Sequence, residues 1–244
     1  MISVLHQRKY FDMKENPMGI VKRQILDVPN DRLVGTDKMF GRMMSMDIEK
    51  MPAKFQSAFD KTKDASYKRF HMTGIVESFE IESNDGDRVK LKSGIILESK
   101  LMAEIFRQSI ELVMIVVSLS GYEDLDEAES NMFLKLFLDS WGTAFIECGN
   151  KWVEQTIAMD LEGRNMYCTN SFSPGQGEIP IEMQALLFQV LKPEEIGVTI
   201  NDRYMMHPKK TVSGIFGIQA IKDDNGIRPC DLCEKRTFCP TAYA

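Results

Sequence analysis

Three of the chain's five cysteines crowd one short stretch, Cys230-Asp231-Leu232-Cys233 and then Cys239. A Cys-x2-Cys pair can chelate one soft metal ion, and a nearby third thiolate nearly completes a tetrahedral set. Arg228, Lys235 and Arg236 would favour the thiolate forms. The spacing points to Cys230, Cys233 and Cys239 as ligands of an iron–sulfur or zinc centre, which spacing alone does not separate. A fourth ligand would come from Cys148, Cys168, His207, an external group or a partner; plain reduced thiols are the alternative.

Three further patches bear chemistry. In Leu138-Asp139-Ser140-Trp141-Gly142-Thr143-Ala144-Phe145-Ile146-Glu147, a helix places Asp139 and Glu147 about 80° apart around its axis, so both can face one cleft. Carboxylates there favour a cationic ligand group; the other reading is two solvated charges. Ser173-Pro174-Gly175-Gln176-Gly177 is a turn whose glycines let backbone amides approach a ligand. The third patch runs from Tyr204 through Met205, Met206, His207 and Pro208 to Thr211-Val212-Ser213-Gly214. There Ser213, Gly214 and Gly217 allow either close approach of a ligand or a tight strand crossing.

The elements that must position these residues can be read along the chain. Residues 1–50 form a polar arm with a short helix near Met39–Met46, residues 51–221 the main domain, and residues 222–244 a cysteine-rich tail. An amphipathic helix is expected over 53–70, then strands over 72–81 and 88–92 joined by Asn84-Asp85-Gly86-Asp87, a strong hairpin signal. Ser99 caps a helix over 100–108. Leu112–Leu119 is a continuous apolar run, the mark of a buried central strand. A helical pattern from Asp124 to Met159 is long enough that Gly142 or Gly149 is expected to mark a break or a close helix contact. Strands near 166–169, 198–200 and 212–221 and a helix over 182–191 complete an α+β chain, with helices packed on a twisted, largely antiparallel sheet.

The 244 residues carry a net charge of −6, which argues against broad nucleic-acid binding. No apolar run reaches bilayer length and no export signal is evident, so a cytoplasmic protein is expected. Seventeen methionines are many for this length. Most should fill core gaps, with Met39, Met43, Met44, Met46 and Met51 the candidates for an adaptable docking surface.

From Leu138 to Gly177 and from Ile196 to Gly217 the sequence resembles the activation (reactivation) domain of cobalamin-dependent methionine synthase and its free-standing relatives. That family has a helical run with an Asp near its start and a Glu at its end, a Pro-Gly-Tyr turn, a helix ending in Ile-Gly, a Met-x-Pro segment and a Val-Ser-Gly strand. The ordered likeness extends over about residues 70–221. It implies a curved, cleft-bearing fold that binds S-adenosylmethionine and, with an electron from a reductase, remethylates oxidised cobalamin on a partner. The partners implied are a corrinoid (cobalamin-binding) protein and its methyltransferase, with no nucleic acid and no membrane. Carried over by position, the donor site comprises Asp139, Glu147, Pro174, Gly175, Gln176, Gly177, Tyr204, Met206, Pro208 and Ser213. Two positions depart from the family: Ser171 stands where it has the arginine that contacts the donor's carboxylate, and Gln176 where it has the tyrosine. Weakened donor binding is expected, with Arg164 or Lys210 as substitute cations. The alternatives are a non-catalytic module that docks on the corrinoid protein, and a redox carrier working through the cysteine tail.

Overall fold

Leu112 to Leu119 alternates its side chains between two cores. Val113, Ile115, Val117 and Leu119 enter one, and Leu112, Met114 and Val116 the other. A strand buried on both faces needs no polar alternation, which is why this one reads as an unbroken apolar run. A computed structural model describes residues 19–223, 226–239 and 242. In it this segment is β5 (Ser109–Ser120), the middle of an antiparallel sheet.

The other strands are β1 (Gln24–Val28), β2 (His71–Asn84), β3 (Arg88–Leu91), β4 (Ile96–Glu98), β6 (Tyr167–Cys168) and β9 (Thr211–Gln219). They run in the order β4-β3-β2-β5-β9-β6, and β1 pairs with the first half of β2. β7 (Thr199–Ile200) and β8 (Met206–His207) form a separate ladder. The Asp85-Gly86 hairpin joins β2 to β3 as expected.

On one face of the sheet lie α1 (Thr36–Met43), α2 (Ala53–Arg69), α4 (Tyr122–Ala128) and α5 (Met132–Glu162). On the other lie α3 (Lys100–Ile105), capped by the Ser99 side chain, and α6 (Gln184–Leu191). The first core is built around Trp141, stacked on Phe40 at 4.4 Å between centroids, with Phe59 at 5.2 Å. The stretch read as an arm therefore supplies a strand to the sheet and Phe40 to the core; its residues 1–18 lie outside those described.

The long helical pattern breaks at Glu129–Asn131, so of the two readings of its glycines the close helix contact is the one the structure meets. The Asn131 side chain accepts from the Phe133 amide at 2.9 Å and starts a new helix that runs unbroken through both glycines. Gly149 instead lets α5 lie against Met72, where an added Cβ would come within 2.5 Å of its sulfur. In the methionine run, Met39, Met44 and Met51 pack against the first core, and all five methionines stay partly exposed. No helix among the described residues is long and apolar enough to cross a membrane.

Candidate functional site

Ser173-Pro174-Gly175-Gln176 forms a type II turn, with Pro at its second position and Gly175 at φ 88° in its third. The Gln176 amide donates to the Ser173 carbonyl at 3.1 Å. The Gln176 side-chain oxygen folds back to accept from the Ser173 amide at 2.8 Å. Ser173 Oγ donates to the Ser213 carbonyl at 2.7 Å, which ties the turn to β9. Ser213 Oγ then donates to Gln184 Oε1 at 2.9 Å, and Gln184 Nε2 to the Met206 sulfur at 2.8 Å. One polar relay thus fixes the turn, β9, α6 and β8 relative to each other.

Beside this turn is a cleft of about 470 Å³, bounded by the turn, the start of β9, one side of α1, the middle of α5 and Pro229. From α5 come Glu147, Asn150, Lys151 and Glu154, and from α1 Lys38 and Arg42. Glu147 and Glu154 are seven residues apart, about 20° around the helix, so they share its cleft face.

Glu147 keeps contact with solvent, yet protein surrounds it closely enough that burial raises its carboxyl pKa. Burial also raises Glu154, against opposing hydrogen bonds from Ser171 and Asn150; the Asn150 Nδ2 bond is 2.9 Å long. Burial, helped by Glu147, pushes the Cys148 thiol up to about 11. Burial, with Glu154 and Glu162, pushes Cys168 up to about 12. Neither thiol is a nucleophile at neutral pH.

The raised glutamates carry a signed consequence. A carboxyl whose folded pKa exceeds its unfolded value contributes stability that is fully present below the unfolded pKa and is lost as pH rises through the folded one. Glu147 has no hydrogen-bond partner among the described residues, so Glu147→Gln removes that loss without breaking a contact. The variant is expected to melt above the wild type at pH 8 and with it at pH 4, by calorimetry. An equal difference at both pH values would contradict the burial assignment.

Of the ten residues expected at the donor site, Glu147, Gln176 and Ser213 line the cleft. Pro174, Gly175 and Gly177 shape the turn behind it. Tyr204, Met206 and Pro208 belong to the β7–β8 ladder and its exit, outside the cleft lining. Asp139 is not brought beside Glu147. Its Oδ1 accepts from Lys210 Nζ at 2.7 Å and from Tyr122 Oη at 2.9 Å, so it is held in a structural ion pair two turns away. Burial first, and the Asp139 bond second, raise the Tyr122 hydroxyl.

That pairing also removes Lys210 as a substitute cation. Arg164 is turned to the Ile20 carbonyl and Asp160, both at 3.5 Å. The cations at the cleft are Lys38, Arg42 and Lys151, which the sequence reading missed. A signal was present for part of this. Glu147, Asn150, Lys151 and Glu154 make a polar stripe at i, i+3, i+4 and i+7 on an otherwise apolar helix.

The cysteine tail departs furthest from expectation. Among the described residues no group of three or more His, Cys, Asp or Glu is placed to hold a metal ion, so the expectation of a centre at Cys230, Cys233 and Cys239 gains no support. The tail winds through successive turns, and Arg228 grips Asp231 through two bonds of 3.0 and 3.1 Å. Pro229 closes one side of the cleft, and Leu232 packs over Gly177.

No protein-family model matches the chain, and no curated protein does. Among solved structures the chain is similar to the MetH reactivation domain, whose crystal structure was determined bound to AdoHcy. The TM-score is 0.62 at 12% sequence identity, over 92% of this chain and 89% of that one. A likeness at so low an identity is one of architecture: the chain has the fold of the MetH reactivation domain, a curled antiparallel sheet with packed helices.

Proposed function

We propose that this protein is the reactivation component of a corrinoid-dependent methyltransferase system. It docks on a cobalamin-carrying protein, takes S-adenosylmethionine into the cleft beside the Ser173–Gln176 turn, and supports reductive remethylation of the partner's cobalt. The electron comes from a reductase. The methyl group leaves the donor's sulfur for cobalt, and S-adenosylhomocysteine remains as product. The observation that carries this reading is the correspondence, over 92% of the chain, with the fold of a reactivation domain crystallised with that product. The cleft suits such a ligand: its volume of about 470 Å³ falls in the usual range for small-molecule sites, and Glu147 favours a cationic group.

A specific observation favours a second reading, a docking module without methyl transfer. Ser171 is bonded to Glu154, and Gln176 is folded onto its own turn, so neither makes the contact expected of the arginine and tyrosine it replaces. The redox-carrier reading gains no support, because no group of metal-ligating side chains is found among the described residues.

Both surviving readings require docking. Size-exclusion chromatography with a holo corrinoid protein of the same host, poised as cob(II), should give a complex, and a weaker one after methylation of the cobalt. Separate elution from every corrinoid protein of the host would sink the reading.

A further inference from the structure

Cys230 and Cys233 are joined in no disulfide; Cys230 is half-buried and Cys233 exposed. Both sit in a run of tight backbone turns. The Asp231 amide donates to the Arg228 carbonyl at 3.0 Å, Leu232 to Pro229 at 3.2 Å, and Cys233 to Cys230 at 3.4 Å. Successive bonds of this span wind the chain at about three residues per turn, so side chains three positions apart lie one above the other. Pro229 and Leu232 therefore share one side of the winding, and Cys230 and Cys233 share the next. The first side is turned to the protein: Pro229 lines the cleft, and Leu232 packs over Gly177 just past the Ser173–Gln176 turn. On the second side, the bond that closes the turn brings the two cysteine Cα atoms within about 7 Å. A disulfide spans such a separation with little backbone movement.

We infer that Cys230 and Cys233 form a reversible dithiol–disulfide switch that sets how firmly the tail is held against the cleft. The oxidant is a small-molecule disulfide, RSSR, of the glutathione class. The exposed Cys233 thiolate attacks one of its sulfurs, so a Cys233–S–S–R bond forms and one RS⁻ leaves. The Cys230 thiolate then attacks the Cys233 sulfur, the Cys230–Cys233 bond forms and the second RS⁻ leaves. The two thiol protons pass to the two RS⁻, giving two RSH. The cysteine pair loses two electrons and RSSR gains them; excess RSH runs both steps backwards. An exposed disulfide of this kind is readily reduced again, which suits a switch and not a permanent staple.

The cysteines alternate with the residues that pack, so the ring they close acts on the cleft wall. It fixes the turn that presents Pro229 and Leu232, and it removes chain freedom worth roughly tenfold in the equilibrium for tail release. Arg236 reports on the same turn. Its amide donates to the Cys233 carbonyl at 3.2 Å, and its Nη1 to the Asp231 carbonyl at 3.2 Å. Only the consequence for ligand access rests on the reading of the cleft as the donor site; the thiol chemistry and its test involve neither donor nor corrinoid.

The test equilibrates the full chain with reduced and oxidised glutathione in varied ratio, quenches with acid, and reads intact mass and peptide maps. Trypsin, which cuts after Lys235 and Arg236, then measures tail release. Oxidised glutathione should give a species lighter by two hydrogen atoms, mapped to Cys230–Cys233, with cleavage at those two sites slowed roughly tenfold. Cys230→Ser should stop at a glutathione adduct on Cys233 and keep the fast cleavage. Cys239→Ser should still form the bond and slow the cleavage. Glutathione adducts without the internal bond, a bond from either residue to Cys239, or cleavage unchanged in the mapped disulfide form would each overturn the inference. None of these results bears on docking to the corrinoid protein, which its own chromatography decides, so the two failures are told apart.

Discussion

Trp141→Ala is expected to destabilise the protein by about 3–5 kcal/mol, the usual loss for truncating a buried tryptophan. Trp141 is fully buried, and its ring stacks on Phe40 at 4.4 Å and meets Phe59, Tyr67 and Phe145 at tilted or edge-on angles. Its indole N–H donates to Thr62 Oγ1 at 3.2 Å. Alanine would leave a cavity where α1, α2 and α5 meet, and aromatic rings on three separate helices cannot all close in to fill it. The effect extends to the cleft, because Phe40 seats the helix that carries Lys38 and Arg42. Urea unfolding followed by far-UV circular dichroism should show a lowered midpoint with an unchanged slope. A loss below about 1 kcal/mol would mean that the three helices are joined elsewhere.

Much of this architecture is legible in the sequence because its signals are local. The apolar run of β5, the Asp85-Gly86 hairpin, the Ser99 cap and the Pro174-Gly175 turn each depend on a few adjacent residues, and each forms where those residues stand. The break in the long helical pattern falls at Asn131, and the glycines mark close contacts, for a physical reason. A glycine inside a helix weakens it only modestly, whereas Asn131 can cap a new one by bonding the Phe133 amide. Glu129, which accepts from the Asn131 amide at 2.9 Å, reinforces the stop.

The candidate site was legible only in half. Glu147, Gln176 and Ser213 lie on elements whose order along the chain resembles a known family, and they line the cleft. Asp139 carries the same resemblance but is taken up by Lys210, a partner 71 positions away that no local pattern reveals. Lys38 and Arg42 reach the cleft from a segment more than 100 positions before Glu147, and only tertiary packing of Phe40 brings them there. The cysteine tail shows the converse: a good ligand spacing is not by itself a metal site, and among the described residues no ligand set is brought together there.

The largest functional effect is expected in reactivation itself. A corrinoid protein poised as cob(II), given a reductant and methyl-labelled S-adenosylmethionine, should acquire label on cobalt only when this protein is added. Arg42→Gln, which removes a cation from the cleft lining, should lower that rate at sub-saturating donor by roughly ten- to hundredfold. Saturating donor should restore most of the rate. This assay addresses the central claim directly, since it reads the methyl group arriving on the partner's cobalt. Label transfer that depends on this protein is the expected result; label transfer that is the same with and without it would contradict the claim.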